Sequence, residues 1–248
     1  MSETAPVHVA QRAFRPSFFL CMALIMAAFV FGGFGLSYWV PMANGTLAPL
    51  PPVVHVHGLF YFSWMILLIA QAFLVNVRNV PLHRTVGTFG IVIATGLLIF
   101  GSIITVLFAR TQIENPAPDS NALMYLSVVA ILGFGALFCL AIRNTGKPDR
   151  HRRLILFATI NLLPPGINRL YMLAFGLPDL PLLASYLTMD ALALAILTYD
   201  WRATRKINVA SVTGVAFVIL PQLLYAPIAD SAAFADLIKT LGNLAYYR

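Results

Sequence analysis

The side chains best suited to chemistry concentrate in one apolar stretch, Val54–Arg84, which holds three of the chain's five histidines. His55 and His57 lie at its first end, and His83 lies just past its other end. Polar and aromatic residues recur within it at helical spacings of four, three and seven: His57, Tyr61, Trp64 and Gln71. Residues at these spacings share one face of a helix. This face is therefore the first candidate wall of a binding site.

The pair His55 and His57 is a weak metal motif. Residues two apart on a helix point to nearly opposite sides, so both could bind one metal only if the segment began as extended chain. Zinc or copper would need further ligands, and no cysteine lies near this end of the stretch. An interfacial histidine, or a hydrogen-bonding residue of a site, is the alternative interpretation.

A second group of residues suits haem b. Bis-histidine ligation requires two histidines at one depth on different helices. His83 and His151 each open an apolar segment, and each is followed by an arginine, Arg84 or Arg152. Arginines here could pair with haem propionates, and they could equally contact lipid phosphate. The pattern leaves a haem site and a lipid site open.

Two charged residues, Arg169 and Asp190, fall inside apolar segments. Ionisable groups at membrane depth are expensive and are functional candidates by default. Counting the rise along each helix puts the two at similar depth, near that of His57. We expect either an ion pair that locks two helices or a pair that lines an outward-facing cavity. The cavity is favoured by residues on the segment of Arg169: Asn161, Pro164–Pro165 and Asn168.

The composition indicates an all-α, polytopic membrane protein. Of the 248 residues, 60% are hydrophobic and only 10% are charged, whereas soluble proteins have about 25% charged residues. Seven transmembrane helices are predicted, forming one bundle, at about 17–40, 54–77, 86–109, 122–142, 154–175, 180–199 and 209–225. Glycines in the first and third spans predict close helix packing. Pro164–Pro165 should break the fifth span.

Charge placement predicts the orientation. The net charge of +7 could suit nucleic acid, but twelve of the sixteen lysines and arginines fall in the tail and loops that seven spans place on one side. This is the positive-inside bias, so we expect a cytoplasmic N-terminus and no nucleic-acid partner. The lipid bilayer is the expected partner, and other membrane subunits are a further option.

The residues 231–245 predict an amphipathic helix that lies on the outer leaflet, capped by Ser231 or Asp230. Tyr246 and Tyr247 would sit at the headgroups. No lysine lies in any predicted span, which excludes a retinal Schiff base. The sequence also has no P-loop, no HExxH and no GxSxG motif.

Three stretches carry a family resemblance: HVHG, LHRTVG about 24 residues later, and KPDRHRRLILFATINLLPPGINRL. With these the sequence resembles a group of uncharacterised bacterial multi-pass membrane proteins, over about half of the chain. The resemblance implies these positions as the ones to test: His55, His57, His83, Arg84, His151 and Arg169. It implies no particular activity.

The leading functional hypothesis is a membrane protein that binds a small lipophilic ligand, or haem or a quinone, in a cavity between the second, fifth and sixth spans. The expected lining residues are His57, Tyr61, Trp64, Asn168, Arg169 and Asp190. A transporter of a small molecule is the second hypothesis, because proline-broken helices near intramembrane charge form such sites. An accessory subunit of a larger membrane complex is the third.

Overall fold

The computed structural model describes residues 14–116, 120–176 and 181–245, and all regular structure within them is helical. The helices that form the bundle are α1 (Phe18–Ala43, with a π-helical turn at Gly35–Trp39), α2 (Pro52–Asn76), α3 (Val80–Glu114), α4 (Ser120–Arg143), α5 (Pro148–Asn161), α6 (Pro164–Ala174), α7 (Pro181–Thr204) and α8 (Val209–Leu223). Two short helices follow, α9 (Tyr225–Ala229) and α10 (Ala232–Leu244).

Five of these helices, α1 to α4 and α7, are long and apolar enough to cross a membrane. They confirm the all-helical fold and indicate a multi-pass membrane protein. The fifth and seventh predicted spans are not single long apolar helices: one is divided into α5 and α6, and α8 has 15 residues. At 35 residues α3 is about 52 Å long, well beyond the ~30 Å apolar core of a bilayer. It therefore exceeds its predicted bounds at both ends.

The core of the bundle surrounds the broken pair α5 and α6. Phe157, Ile160 and Leu163 are fully buried there, and the pair packs against α1, α4, α7 and α8. Proline has no amide hydrogen and clashes with the preceding turn, so α5 ends at Asn161 and α6 restarts at Pro164. The predicted break is confirmed, and it lies at the centre of the molecule.

Glycines let the helices approach closely, as their positions predict. A Cβ atom on Gly33 of α1 would lie 2.1 Å from the carbonyl oxygen of Gly166 in α6. A Cβ atom on Gly96 of α3 would lie 2.2 Å from the ring of Phe60 in α2. These two contacts fix how α1 meets α6 and how α2 meets α3.

The C-terminal segment forms the predicted helix, and the Ser231 side chain caps it by accepting from the Phe234 amide at 3.1 Å. Its apolar face packs on protein, however: Phe234 and Ile238 join a cluster with Ala109 of α3 and Met124 of α4. The expectation of a helix resting on lipid is corrected to this extent, because the extra length of α3 offers a protein surface. The predicted headgroup tyrosines, Tyr246 and Tyr247, lie outside the described residues.

Candidate functional site

The polar face of α2 forms hydrogen bonds to the segment around the break between α5 and α6. The Tyr61 hydroxyl donates to the carbonyl oxygen of Leu162 at 2.7 Å, and the Trp64 indole donates to the Thr159 hydroxyl at 3.1 Å. Leu162 lies in the gap between α5 and α6, where the prolines leave carbonyls without helical partners. Tyr61 therefore supplies the missing partner of the Leu162 carbonyl, and Trp64 binds α2 to the last turn of α5. They are buried contacts and do not line an open cavity.

His57 and His55 diverge because the helix already begins at Pro52. His55 is exposed, and its Nδ1 pairs with the Tyr38 hydroxyl at 2.5 Å. The His57 ring lies nearly parallel to that of Tyr61, 6.2 Å away, and its buried Nδ1 has no hydrogen-bond partner. The described part of the chain contains no group of three or more potential metal-ligating side chains, so the geometry does not favour a metal here.

Arg169 and Asp190 do not pair, contrary to expectation. One Arg169 nitrogen donates to the Pro165 carbonyl at 2.9 Å, and the guanidinium lies 4.5 Å from the ring centroid of Phe34. Asp190 accepts from the Gln222 amide at 2.8 Å. The reason is that α6 carries Arg169 against α1, while Asp190 lies on α7 beside α8.

Three of the six expected lining residues lie together: the Tyr61 ring contacts those of His57 and Phe34, and the Arg169 guanidinium lies over Phe34. The other three make separate contacts. The buried Asn168 accepts from the Ser185 hydroxyl and ties α6 to α7. It makes that contact apart from Tyr61 and Trp64, which bind the break from α2. The cavity between the second, fifth and sixth spans stays a prediction.

A different cleft lies at the helix break, between α4, the end of α5, the start of α6, α7 and α8. We call it the break cleft. In this conformation it has room for about one water molecule. Its polar lining residues are Tyr125, Asn161, Tyr186 and Gln222, and apolar side chains such as Met189 and Phe217 supply most of the remainder.

Two of the residues that line the break cleft carry a buried polar atom with no hydrogen-bond partner among the described residues: Asn161 Oδ1 and the Tyr186 hydroxyl. Asn161 Oδ1 lies over Gly133 of α4, where a Cβ atom would be 2.6 Å from it. Asn161 Nδ2 donates to the Phe157 carbonyl at 2.9 Å, which fixes the amide so that its oxygen is the orphan. The other two polar residues are satisfied, since the Tyr125 hydroxyl donates to the Pro221 carbonyl at 2.6 Å and Gln222 donates to Asp190. Each buried unsatisfied group costs about 1–3 kcal/mol.

Sequence reasoning found only part of this cleft. Asn161 stood out as a polar residue beside the proline pair, but Tyr186 resembles any tyrosine near a helix end. No spacing rule could join them, because the cleft takes residues from five separate helices, α4 to α8.

The two histidines of the predicted haem site, His83 and His151, make different hydrogen bonds. His151 Nδ1 must donate to the Ala141 carbonyl, 2.9 Å away, which leaves Nε2 free to ligate. Gln71, in the amide orientation that satisfies its neighbours, donates to His83 Nδ1 and accepts from the Gly87 amide at 3.1 Å. Because Nδ1 of His83 accepts this hydrogen bond, the proton of the neutral ring is on Nε2. A protonated Nε2 has no lone pair with which to bind iron. The geometry therefore does not favour a haem between them.

The arginines beside these histidines also differ. Arg84 is exposed at the start of α3. Arg152 forms an ion pair with Asp149, and its guanidinium lies 4.2 Å from the ring centroid of Phe19.

A buried ion pair joins the same end of α5 to α7. The side chains of Arg153 and Asp200 are only 4% and 0% exposed, and Arg153 Nε donates to Asp200 Oδ1 at 2.8 Å. The second carboxylate oxygen accepts from the Ser211 hydroxyl at 2.6 Å and the Asn208 amide at 3.1 Å. Both residues were expected in the basic segments between predicted spans. No sequence pattern predicted that two residues 47 positions apart would form an ion pair.

Comparison with known proteins returned no matching family model, curated protein or solved structure. The resemblance to the uncharacterised membrane proteins stays a prediction.

Proposed function

We propose that this chain is a multi-pass membrane protein that binds a small lipophilic molecule carrying a hydroxyl group, of the quinol class, in the break cleft. The observation that carries this proposal is that two residues of one cleft, Asn161 and Tyr186, each bury a polar atom that has no partner among the described residues. Native proteins rarely leave such groups unpaired, so a partner that arrives from outside is the simplest explanation.

The two atoms select the ligand chemistry. Asn161 Oδ1 can only accept, so its partner must carry a donor, as a quinol hydroxyl does. Tyr186 can donate to an oxygen of the same molecule. Val129, Met189 and Phe217 supply the apolar contact for a ring. An oxidised quinone has no donor and would leave Asn161 unsatisfied.

Entry requires movement, because the closed cleft has room for about one water molecule. The segment that moves is the one after Pro221, where α8 ends and the short α9 begins. Proline weakens the helix there, and the Tyr125 hydroxyl holds the Pro221 carbonyl across the cleft. Tyr125 acts as the latch of this entrance.

We also propose that the chain crosses the membrane seven times with its N-terminus in the cytoplasm, using α5 with α6 and α8 with α9 as two of the crossings. These pairs extend over 148–174 and 209–229, about 40 Å and 31 Å if helical throughout. Contacts support one shared basic end: Asn76 binds the backbone of Arg15, and Arg153 pairs with Asp200. Positive charge at that end favours the cytoplasmic side of a bacterial inner membrane.

The binding test is calorimetric titration of a short-chain hydroquinone into purified protein in detergent, kept anaerobic. Saturable one-site binding is expected, weakened about fivefold by Tyr186→Phe, the equivalent of one lost hydrogen bond. Tyr171→Phe is the matched control, because the Tyr171 hydroxyl makes no hydrogen bond to the described residues and its ring packs on Phe175. Equal affinity in the wild type and Tyr186→Phe would reject the site.

A carrier of such molecules is the second candidate function. It is favoured by the break at Pro164–Pro165 and by Pro221 inside α8, because Pro164 and Pro221 both line the break cleft. Discontinuous helices beside a central site are typical of transporters. Counterflow of labelled hydroquinone in proteoliposomes would separate the two, since a carrier gives transient accumulation and a binding protein gives none.

A further inference from the structure

A second polar opening lies at the basic end of the bundle, between the start of α5, the end of α7 and the start of α8. We call it the basic crevice. It has about 780 Å³ of space open to the outside, and the lining residues that matter here are Asp149, Arg152, Arg153, Lys206, Ile207 and Asn208. It shares no residue with the break cleft.

Three residues that line the basic crevice each have a side-chain nitrogen with no hydrogen-bond or ion-pair partner among the described residues. Arg152 Nε is buried and unpartnered. The Lys206 ammonium makes no ion pair with any residue of the described ranges. Asn208 caps α8 through its side-chain oxygen, which accepts from the Ala210 amide at 2.9 Å and leaves the side-chain nitrogen free. A ligand rich in acceptor oxygens would satisfy all three.

The basic crevice carries a net positive charge. Asp200 neutralises Arg153, whose remaining guanidinium nitrogen donates to the Asp149 carbonyl at 2.6 Å. Asp149 neutralises Arg152 at one nitrogen. Lys206 is left over, so the lining carries one uncompensated positive charge and attracts an anion.

The lip of the basic crevice is apolar. Ile207 lines the crevice and is 40% exposed, and Val209 and Val212 follow it as exposed residues of α8. On α7 the exposed Trp201 lies beside Arg205, whose guanidinium is 6.0 Å from the indole. Exposed tryptophan and arginine at the end of an apolar helix mark the headgroup level of a membrane. The crevice thus opens where headgroups meet acyl chains.

We propose that the basic crevice binds the phosphate group of an anionic phospholipid, with the acyl chains lying along the exposed valines of α8. Lys206 supplies the charge, and Arg152 Nε and the Asn208 side chain supply directed hydrogen bonds to phosphate oxygens. A lipid bound here bridges α5 to α8 beside the Arg153–Asp200 pair. The proposal uses the membrane placement of this end of the bundle and is independent of any ligand in the break cleft.

The test is the thermal midpoint of the full-length protein in nanodiscs of phosphatidylcholine, titrated with increasing mole fractions of phosphatidylglycerol. Saturable stabilisation is expected for the wild type. Lys206→Gln should raise the half-saturating fraction about fivefold, the effect of one charge near the surface. Lys206→Gln combined with Arg152→Gln should raise it about thirtyfold if the two charges add.

Lys147→Gln is the matched control, because it removes one lysine from the same basic end but outside the crevice. It should leave the half-saturating fraction unchanged. Equal weakening by Lys147→Gln and Lys206→Gln would overturn the site in favour of general surface charge. Full stabilisation by inorganic phosphate alone would identify a free anion and overturn the lipid.

Lipid-bound peaks in native mass spectrometry provide a readout that does not depend on stability. One retained phosphatidylglycerol is expected for the wild type and none for the double variant. Retention by the double variant would contradict the proposal. A failure of this experiment with hydroquinone binding intact would reject the crevice and leave the proposed function untouched.

Discussion

At the scale of single residues, some buried polar groups of the bundle have a hydrogen-bond partner among the described residues and others do not. Tyr61 completes the broken helix by donating to Leu162, whereas the Tyr186 hydroxyl and Asn161 Oδ1 are buried without partners. The sequence supplied the residue types, but the pairing depends on helix rotation. This is why the helical spacing of Tyr61 and Trp64 did not indicate that both would hydrogen-bond to the segment around the helix break.

Two tyrosine substitutions should change stability in opposite directions. Tyr61→Phe leaves the Leu162 carbonyl unsatisfied and should lower the free energy of unfolding by about 1–3 kcal/mol. Tyr186→Phe removes an unpaired hydroxyl and should be neutral or stabilising by about 1 kcal/mol. Thermal midpoints in detergent, without ligand, measure both. A loss of stability in Tyr186→Phe equal to that in Tyr61→Phe would mean that its hydroxyl has a partner.

The Arg153–Asp200 pair should show strong coupling. Asp200→Ala leaves a buried arginine charge and should destabilise the protein by about 3–5 kcal/mol. Asp200→Ala combined with Arg153→Met removes both charges and should be less destabilising than Asp200→Ala alone. A double-mutant cycle measured by thermal unfolding tests this. Additive effects of the two substitutions would contradict the interaction.

At the scale of helices, glycine positions and proline breaks were predicted well because each acts locally. A missing Cβ permits close approach where two helices cross, and proline removes a backbone donor wherever it stands. The proline pair after α5 ends that helix, whereas Pro221 lies inside α8. Partners and lengths were predicted less well. The true length of α3 and the packing of α10 on its end depend on contacts between segments far apart in the chain.

Gly33→Ala and Gly35→Ala are a matched test of helix approach. A methyl group at Gly33 would collide with the Gly166 carbonyl and should cost at least about 1–3 kcal/mol, since backbone cannot yield as a side chain does. A methyl group at Gly35 meets nothing within 4 Å and should be neutral or slightly stabilising. The difference between the two midpoints is the measurement. Equal midpoints would place α1 and α6 further apart than described.

At the scale of the whole molecule, composition predicted the membrane class because lipid as a solvent demands apolar surfaces everywhere. The proposed seven crossings predict that alkaline phosphatase is active when fused after Gly45 and inactive when fused after Gly146. A fluorescent protein should show the reverse, because it folds in the cytoplasm. Activity of both phosphatase fusions would reject the orientation. A C-terminal phosphatase fusion should also be active, because seven crossings place the C-terminus outside the cytoplasm. With six crossings the C-terminus would be in the cytoplasm and the fusion would be inactive.

The central claim is that the Asn161 side-chain oxygen accepts a hydrogen bond from a ligand hydroxyl in the break cleft. The most direct test is the ratio of affinities for the reduced and oxidised forms of one short-chain quinone. The wild type should bind the hydroquinone about tenfold more tightly than the quinone, because only the hydroquinone satisfies Asn161 Oδ1. In Asn161→Leu the two affinities should become equal. Equal affinities in the wild type, or a ratio unchanged by Asn161→Leu, would contradict the account.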